Sequence, residues 1–433
     1  MGIHAGVRAA LALRRVACAA RLGAACLALA WLAAPAAWAQ QTLTVAAFPA
    51  MDKIIAAALP AWQARHPGVQ VKLVSRQMPD HHTAMTTALS TGSYLPDVMA
   101  LEIGYVRRFA QSGALQDLSA PPFNAGQHQA RIVPYAWQQA HNAKGALSVM
   151  PADIGPGTLL YRADILAKAQ VSEAELTRSW DSYVAAGVKI KAATHSFLLA
   201  HARDMKEILI RTAIQPGEGL YFDANNKPLV TTPRFERAFE LARQVRANKL
   251  DAKVGAWSND WSEGFRRGTI ATQMSGAWLA GHLANWLAPA TRGQWRAAQL
   301  PEGAWAAYGG AFYALPKAAN PANQALAWDL VQSLTLDRAQ QLAAFKSQDA
   351  FPALVDAHTD AFFDEPIAFL GGQPARQLWR EATRHISAVA VHKLDNLAEE
   401  VVNTELDKVL NDGKPIALAL ADAQRLLARR ANR

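Results

Sequence analysis

The sequence contains very little cysteine. Its 433 residues include only two, Cys18 and Cys26, and both lie within the first 26 positions. If this N-terminal segment is removed, the remaining chain has neither a thiol nor a disulfide. That excludes cysteine-ligated zinc sites and cysteine nucleophiles from the mature protein, and a chain of this length builds its core without disulfides.

Long apolar runs and tracts of one charge sign are missing after residue 40. No later window holds the roughly 18 uninterrupted apolar residues of a membrane span, although 51% of the chain is hydrophobic. Removing four N-terminal arginines reduces the 44 Lys and Arg to 40, against 35 Asp and Glu. These charges are interspersed, which indicates a mixed solvated surface and no nucleic-acid-binding face. Length and composition fit two or three globular domains.

The N-terminus has the order of segments typical of secretory signal peptides. Four arginines and no acidic residue precede or adjoin the apolar residues 22–32, and the small residues Ala37 and Ala39 stand just before Gln40. We therefore expect residues 1–39 to be a cleaved signal peptide and the mature protein to be periplasmic. Two alternatives stay open, namely a membrane anchor, for which the apolar run is short, and a lipoprotein acylated at Cys26.

Strand and helix patterns alternate in the first third of the mature chain. Period-2 or short apolar runs predict strands at 43–48, 69–74 and 98–101, and helical spacing predicts helices at 51–65, 83–89 and 106–111. This alternation favours a parallel sheet built from βαβ units.

The rest of the chain is predicted to be mostly helical. A second alternating run at 311–315 predicts a strand. The helix pattern of 394–431 is interrupted near Gly413 and Pro415. Further helices are predicted at 164–169, 180–192, 233–248, 261–267, 322–334 and 337–345.

Five short motifs follow one another along most of the mature chain. They are His-Pro-Gly-Val-Gln-Val at 66–71, Gly-Ser-Tyr-Leu-Pro-Asp-Val at 92–98, Met-Pro-Ala-Asp-Ile-Gly-Pro at 150–156, Phe-Arg-Arg-Gly-Thr-Ile-Ala-Thr-Gln-Met at 265–274 with Gly-Ala-Trp at 276–278, and Gly-Gly at 309–310 before Ala-Leu-Pro-Lys at 314–317. In this order the chain resembles the family 1 extracellular solute-binding proteins, the maltose-binding-protein-like family. It departs from the family at Ala46-Ala47, where an aromatic pair is usual, and at Asn142.

The resemblance implies an α/β protein with the two-lobed periplasmic-binding-protein fold of type II. The implied lobes are discontinuous: residues 40–152 with 306–348 form one, and residues 153–305 with 349–433 form the other. The implied function is that of the substrate-binding subunit of an ABC importer. We expect a monomer that captures a sugar or polyol between the lobes and delivers it to the membrane permease, without catalysis, metal, cofactor or nucleic acid.

Two kinds of side chain suit such a ligand. Aromatic rings pack against the apolar C–H faces of a sugar, and carboxylates accept hydrogen bonds from its hydroxyls. By family resemblance, Glu102 after a buried strand, Asp153 at the first crossing and Trp278 in Gly-x-Trp are the principal candidates. Each has a structural alternative: a helix N-cap, a hinge turn and a core tryptophan, respectively.

Other candidates depend on weaker patterns. Trp257 and Trp261 share a helical face, which is more often core. Gly310 would let the backbone approach a ligand. Adjacent His81 and His82 lack metal-ligand spacing. The complete set of predicted ligand-binding residues is Phe48, Asp80, Glu102, Asp153, Trp257, Trp261, Trp278, Gly310 and Phe312.

Two other functions stay open. A related binding protein for glycerol phosphate would need several cationic groups in the cleft, and one for a polyamine would need several acids with aromatic rings. A secreted hydrolase could use two carboxylates such as Glu102 and Asp153, which would then stand roughly 5–10 Å apart across the scissile bond.

Overall fold

The computed structural model describes residues 41–432, apart from 143, 216 and 391. The predicted signal peptide, its cleavage site and both cysteines lie outside the described residues. Within the described part, no helix is long and apolar enough to cross a membrane.

Eight strands form one sheet in the order β2-β1-β3-β7-β4-β5, and β6 and β8 also pair with β4. The pairing of β1 with β2 and β3 is parallel, as the βαβ pattern predicts, whereas β7 runs antiparallel to β3 and β4. The strands are β1 Gln41–Ala47, β2 Val69–Ser75, β3 Val98–Glu102, β4 Met150–Arg162, β5 Thr272–Gly276, β6 Trp295–Ala298, β7 Ala307–Ala314 and β8 Phe351–Pro352.

Helices cover both ends of this sheet. In the described residues the α-helices are α1 Met51–Arg65, α2 Met78–Thr91, α3 Ile103–Gln111, α4 Pro134–Gln139, α5 Ala163–Lys168, α6 Glu173–Thr177, α7 Trp180–Thr194, α8 Arg203–Leu209, α9 Pro233–Ala247, α10 Asn259–Arg267, α11 Trp278–His282, α12 Gln324–Leu336, α13 Arg338–Gln348, α14 Ala375–His385, α15 Asp395–Asp412 and α16 Ile416–Ala431. A π-helical turn, Leu283–Leu287, continues α11. The predicted break near Gly413 separates α15 from α16, because Gly413 adopts the left-handed conformation (φ +70°) that ends a helix.

Strand β4 links the two halves of the molecule. Its first residues pair with β7 and β8, and its last residues, from Gly157, pair with β5 and β6. Bulges interrupt the β4–β7 register between Pro151 and Asp153 and between Ile154 and Pro156. A strand shared by two sheet regions and bent by bulges is suited to carry the chain from one lobe to the other.

The buried apolar residues form two clusters. One surrounds β1, β3 and β7, and the other contains α7, α9, α15 and α16. Phe351 and Trp379, which the predicted boundaries assign to the second lobe, pack in the first cluster. The α/β, two-lobed fold class is confirmed by the structural comparisons given below, whereas the lobe boundaries stay a prediction.

Candidate ligand-binding cleft

Glu102 ends β3 and begins α3. Its side chain accepts a hydrogen bond from the Gly104 N–H (2.7 Å to Oε2), which makes it the N-cap of α3. The backbone N–H of Glu102 donates to His82 Nε2 (3.1 Å). Removal from water raises the pKa of Glu102 to about 7, against the lowering effect of the Gly104 bond. The residue is therefore a cap and at the same time a partly buried acceptor at a strand end.

His82 holds Glu102 in place. Its Nδ1–H donates to the Met78 carbonyl oxygen (2.7 Å). Nε2 therefore carries the lone pair that accepts the hydrogen bond from the Glu102 backbone N–H. Burial lowers the pKa of His82 to about 4, which keeps the ring neutral and able to accept. Tyr105 stacks on the same ring, with centroids 3.8 Å apart. Sequence reasoning gave this histidine pair no such role, because the contact links α2 to a distant strand end.

Asp153 stands on the other side of β7 from Glu102. Both residues are opposite Ala311 in the register, Glu102 from β3 and Asp153 from β4. The Ala311 N–H donates to Asp153 Oδ1 (2.7 Å), and burial raises the pKa of Asp153 to about 7. Two strand spacings separate the two backbones by roughly 10 Å. Two predicted acids thus flank one position of one strand.

The residues before Ala311 connect these acids to Trp278. The indole N–H of Trp278 donates to the Tyr308 carbonyl oxygen (2.9 Å). Gly310, which pairs with Ile154, has φ +138°, a conformation available to glycine and strained for other residues. An added Cβ there would stand 3.1 Å from the Asp153 carbonyl oxygen. The glycines therefore permit a close strand crossing, and only two residues of β7, Gly309 and Gly310, separate the Trp278 contact at Tyr308 from Ala311 between the two acids.

Trp278 belongs to a group of tryptophans. The rings of Trp257 and Trp278 are stacked, with centroids 5.8 Å apart and planes 17° apart. Trp257 is 55% exposed, although its φ is +68°. Trp261 lies 5.0 Å from Trp257 but is only 2% exposed, and its indole N–H donates to Gln273 Oε1 (3.3 Å). The Trp257 ring is thus exposed, Trp278 is partly buried beside it, and Trp261 supports Trp257 from the core.

The remaining candidates lie in other surroundings. Phe312 is 1% exposed and packs in the core, since Ala311 and not Phe312 faces the two acids along β7. Phe48 is buried against the rings of His81 and His82 (5.6 and 5.5 Å). Asp80 is exposed in the first turn of α2. These three side chains make no contact with the tryptophan group or with the two acids among the contacts described.

Three residues that sequence reasoning missed belong to the same region. Trp286 is 52% exposed and stacks on Trp257, with centroids 6.4 Å apart. The carboxylate of Asp349 lies against Gly281 and accepts from Asn285 Nδ2 (3.3 Å). The spacing of Trp278, His282 and Trp286 at i, i+4 and i+8 is the signal that could have identified Trp286.

A cation faces Glu102 from the second core. The Arg211 guanidinium lies 4.7 Å from the Tyr308 ring centroid and pairs with Glu207 (2.7 Å). Its positive charge opposes the rise in the pKa of Glu102. Asn396, at the start of α15, approaches the opposite side of the Gly104 turn, 3.8 Å from where a Cβ on that glycine would stand. Groups from both cores therefore meet around Glu102.

A surface cavity of about 940 Å³ lies elsewhere, between residues 129–138, 355–359 and 377–384. Its charged groups are already paired, Arg384 with Glu381 and Arg380 with Asp364. In the part of the chain that the structure describes, no three His, Cys, Asp or Glu side chains are grouped as metal ligands.

Comparisons with known proteins agree with this architecture. Residues 57–370 match the family described as bacterial extracellular solute-binding protein. A lactose-binding protein of Rhizobium radiobacter is 25% identical over 372 residues, which are 81% of this chain and 85% of that protein.

Two solved structures have the same fold over 90% of this chain. A family 1 extracellular solute-binding protein superposes with a TM-score of 0.78 at 24% identity and is covered in full. An ABC-transporter-associated binding protein of B. animalis subsp. lactis, in complex with β-1,6-galactobiose, gives 0.74 at 23% identity over 98% of its length. With the family match spanning well over half of its residues, the chain belongs to the bacterial extracellular solute-binding proteins.

Proposed function

We propose that the mature protein is the periplasmic substrate-binding subunit of an ABC importer, and that it captures a sugar or polyol and delivers it to the membrane permease. The observation that carries this proposal is the exposed tryptophan face beside two carboxyl groups. Trp257 and Trp278 offer stacked indole rings, and Glu102 of β3 and Asp153 of β4 flank the adjoining strand β7 at Ala311. Flat apolar rings next to hydrogen-bond acceptors match the two surfaces of a pyranose.

The acids favour a neutral ligand. Burial raises the pKa values of Glu102 and Asp153 to about 7, so each carries only part of a negative charge near neutral pH. A polyamine would need these acids fully ionised. A phosphate would need free cations, but Arg211 is already paired with Glu207. A sugar hydroxyl can donate and accept hydrogen bonds, so it can pair with a carboxyl group in either protonation state.

The names of the relatives support the same ligand class. One is a lactose-binding protein, and another was solved with β-1,6-galactobiose. Binding without hydrolysis is proposed because both carboxyl groups are engaged by backbone N–H groups, that of Glu102 by Gly104 and that of Asp153 by Ala311. We propose a monomer acting in the periplasm, exported by the signal peptide of residues 1–39.

A thermal-shift panel tests the proposal. The mature protein is heated with neutral mono- and disaccharides, with polyols, with glycerol phosphate and with spermidine. A ligand that binds only the folded state raises the melting temperature in proportion to RT ln(1 + [L]/Kd). We expect shifts only with neutral sugars or polyols. A shift only with glycerol phosphate or spermidine, or release of monosaccharide during incubation, would contradict the proposal.

A further inference from the structure

Trp278, His282 and Trp286 form a row along one helix face. They are spaced at i, i+4 and i+8, the first two in α11 and the third in the π-helical turn Leu283–Leu287. His282 lies between the two indoles, with centroid distances of 5.2 and 5.5 Å. Eight helical residues advance about 12 Å. The row therefore extends beyond the width of one pyranose ring.

Trp257 joins this row into one surface. Its ring is nearly parallel to Trp278 and to Trp286, at 17° and 20°, and it also lies 6.0 Å from His282. Its backbone is held at φ +68° just before α10, whose N-cap is Ser258. A non-glycine residue at positive φ costs free energy, and such strain is concentrated at functional sites.

The exposed end of this surface, at Trp257 and Trp286, is not explained by packing in the core. Trp257 and Trp286 are among the few large apolar side chains that the described residues expose. Adjacent exposed indoles form an apolar patch of the kind that marks a binding surface. A π-helical turn is rare and is found disproportionately at functional sites. Burial of the core explains Trp261 but does not explain the position of Trp286.

Polar partners lie beside the far end of the row. Asn285 is next to Trp286 in the π turn and donates to Asp349 Oδ2 (3.3 Å). Asp349 is partly buried, and burial raises its pKa to about 6, against the lowering effect of Arg376. Asn285 and Asp349 thus place an amide and a carboxyl group at the Trp286 end of the row.

This inference rests on the proposed function: we propose that Trp286 is the stacking platform for a second sugar unit. The site then takes a linear oligosaccharide of at least two pyranose units, the first between Trp278 and the Glu102–Asp153 pair and the second against Trp286, with Asn285 and Asp349 as its hydroxyl partners. Trp286 therefore sets the length of the ligand, whereas Trp278 is required for any ligand.

Calorimetry with two glycan ladders tests this assignment. The ladders are galactose, lactose and β-1,6-galactobiose, and glucose, maltose and maltotriose. We expect wild type to bind a disaccharide at least about tenfold more tightly than its monosaccharide, the gain from burying one more apolar sugar face. Trp286→Ala should remove that preference and leave the monosaccharide affinity within about twofold. Trp286→Phe, which keeps a ring, should retain most of it.

Two further variants serve as references. Trp278→Ala should weaken the binding of mono- and disaccharides alike. Tyr94→Ala removes an exposed ring ahead of β3, at the opposite end of that strand from Glu102, and should change neither affinity. Melting curves of all unliganded variants report any loss of folding.

The possible failures differ. If Trp286→Ala leaves the ratio of disaccharide to monosaccharide affinity unchanged, or lowers both affinities equally, the second platform is refuted. The proposed function survives that result when Trp278→Ala still weakens binding. If wild type binds no member of either ladder, the second platform is refuted, whereas the proposed function is decided by the thermal-shift panel of sugars and polyols.

Discussion

Trp278 and Glu102 are joined by one chain of contacts. The Trp278 indole is tied to the Tyr308 carbonyl oxygen, and three residues further along β7 Ala311 lies opposite Glu102. The two side chains are proposed to meet different faces of the same sugar. Each also has a structural task, Trp278 as a donor to the crossing strand and Glu102 as a helix cap.

Substituting these two residues separates binding from folding. Trp278→Ala should cost about 1–3 kcal/mol of binding free energy through lost apolar burial. Glu102→Gln keeps an acceptor for Gly104 but loses the charge-assisted hydrogen bond, which costs about 1–3 kcal/mol. Because the pKa of Glu102 is about 7, this loss should be larger at pH 8 than at pH 6. Calorimetry at both pH values measures it. A sharp fall in the melting temperature with unchanged affinity would assign both residues to the core.

Asp395 gives the free energy of unfolding a pH dependence. Burial raises its pKa from 3.8 to about 7, with Arg107 and Arg211 lowering it and Glu399 raising it. An acid whose pKa is higher in the folded state contributes stability below its unfolded value, and that contribution is lost as the pH rises through its folded value.

Asp395→Asn should therefore become more stable relative to wild type as the pH rises from about 4 to about 8. The asparagine can still accept the His392 N–H, which donates to Asp395 Oδ2 (2.6 Å). Melting temperatures across that range provide the measurement. Asp412→Asn, at the exposed end of the same helix, controls for the loss of one negative charge. A pH-independent difference between Asp395→Asn and wild type would contradict the assignment.

Helix α11 and its π turn depend on one close contact. An added Cβ on Gly281 would stand 1.6 Å from Asp349 Oδ2 and 1.9 Å from its carboxyl carbon. A side chain there requires the Asp349 carboxylate to rotate away or one of the two segments to move. This contact fixes the helix face that carries Trp278 and Trp286.

Gly281→Ala should destabilise the unliganded protein by about 1–3 kcal/mol, the usual cost of overpacking. Urea-induced unfolding measures this change. Gly126→Ala is the matched control, since a Cβ on Gly126 meets nothing within 4 Å and its φ is not left-handed. Equal stability of the two variants would show that α11 is free to shift away from Asp349.

Elements with local signals were predictable from the sequence. Gly413 predicts the end of α15, and Pro415 predicts the start of α16, because the backbone preferences of these residues act within one or two positions. Glu102 was predicted because it follows a buried strand, and Asp153 because it lies in the Pro-x-Asp crossing motif; their part in ligand binding stays a prediction. Phe312 was predicted to contact the ligand because strand alternation gives two faces but does not say which one is core. The i, i+4, i+8 spacing could have drawn attention to Trp286, but the surroundings of its ring depend on the π turn and on the left-handed Trp257, which no local pattern signals.

At the scale of the whole molecule, two strands connect the two cores. They are the long strand β4 and the glycine-containing strand β7. Strands β4 and β7 pair with each other at the crossing, and Glu102, Asp153 and Trp278 are arranged around it. Ligand held on both sides of such a crossing favours closure by hinge motion. The lobe boundaries at 152/153, 305/306 and 348/349 belong to this proposal.

Export is expected to depend on the predicted signal peptide, residues 1–39. We expect cleavage before Gln40, because Ala37 and Ala39 supply the small residues of a signal-peptidase site. Intact mass and N-terminal sequencing of periplasmic protein check the site, and the mature form should contain no cysteine. Protein that retains Met1, or that carries a lipid on Cys26, would contradict the soluble periplasmic assignment.

Hydrogen–deuterium exchange with and without a bound disaccharide tests the central claim most directly. The claim is that one ligand lies between the tryptophan face and the two acids. It predicts simultaneous protection of four segments that are distant in sequence: 100–106 around Glu102, 150–155 and 307–312 at the crossing, and 255–288 around the tryptophans. Protection confined to one of these segments, or to the cavity between residues 129–138 and 377–384, would contradict it.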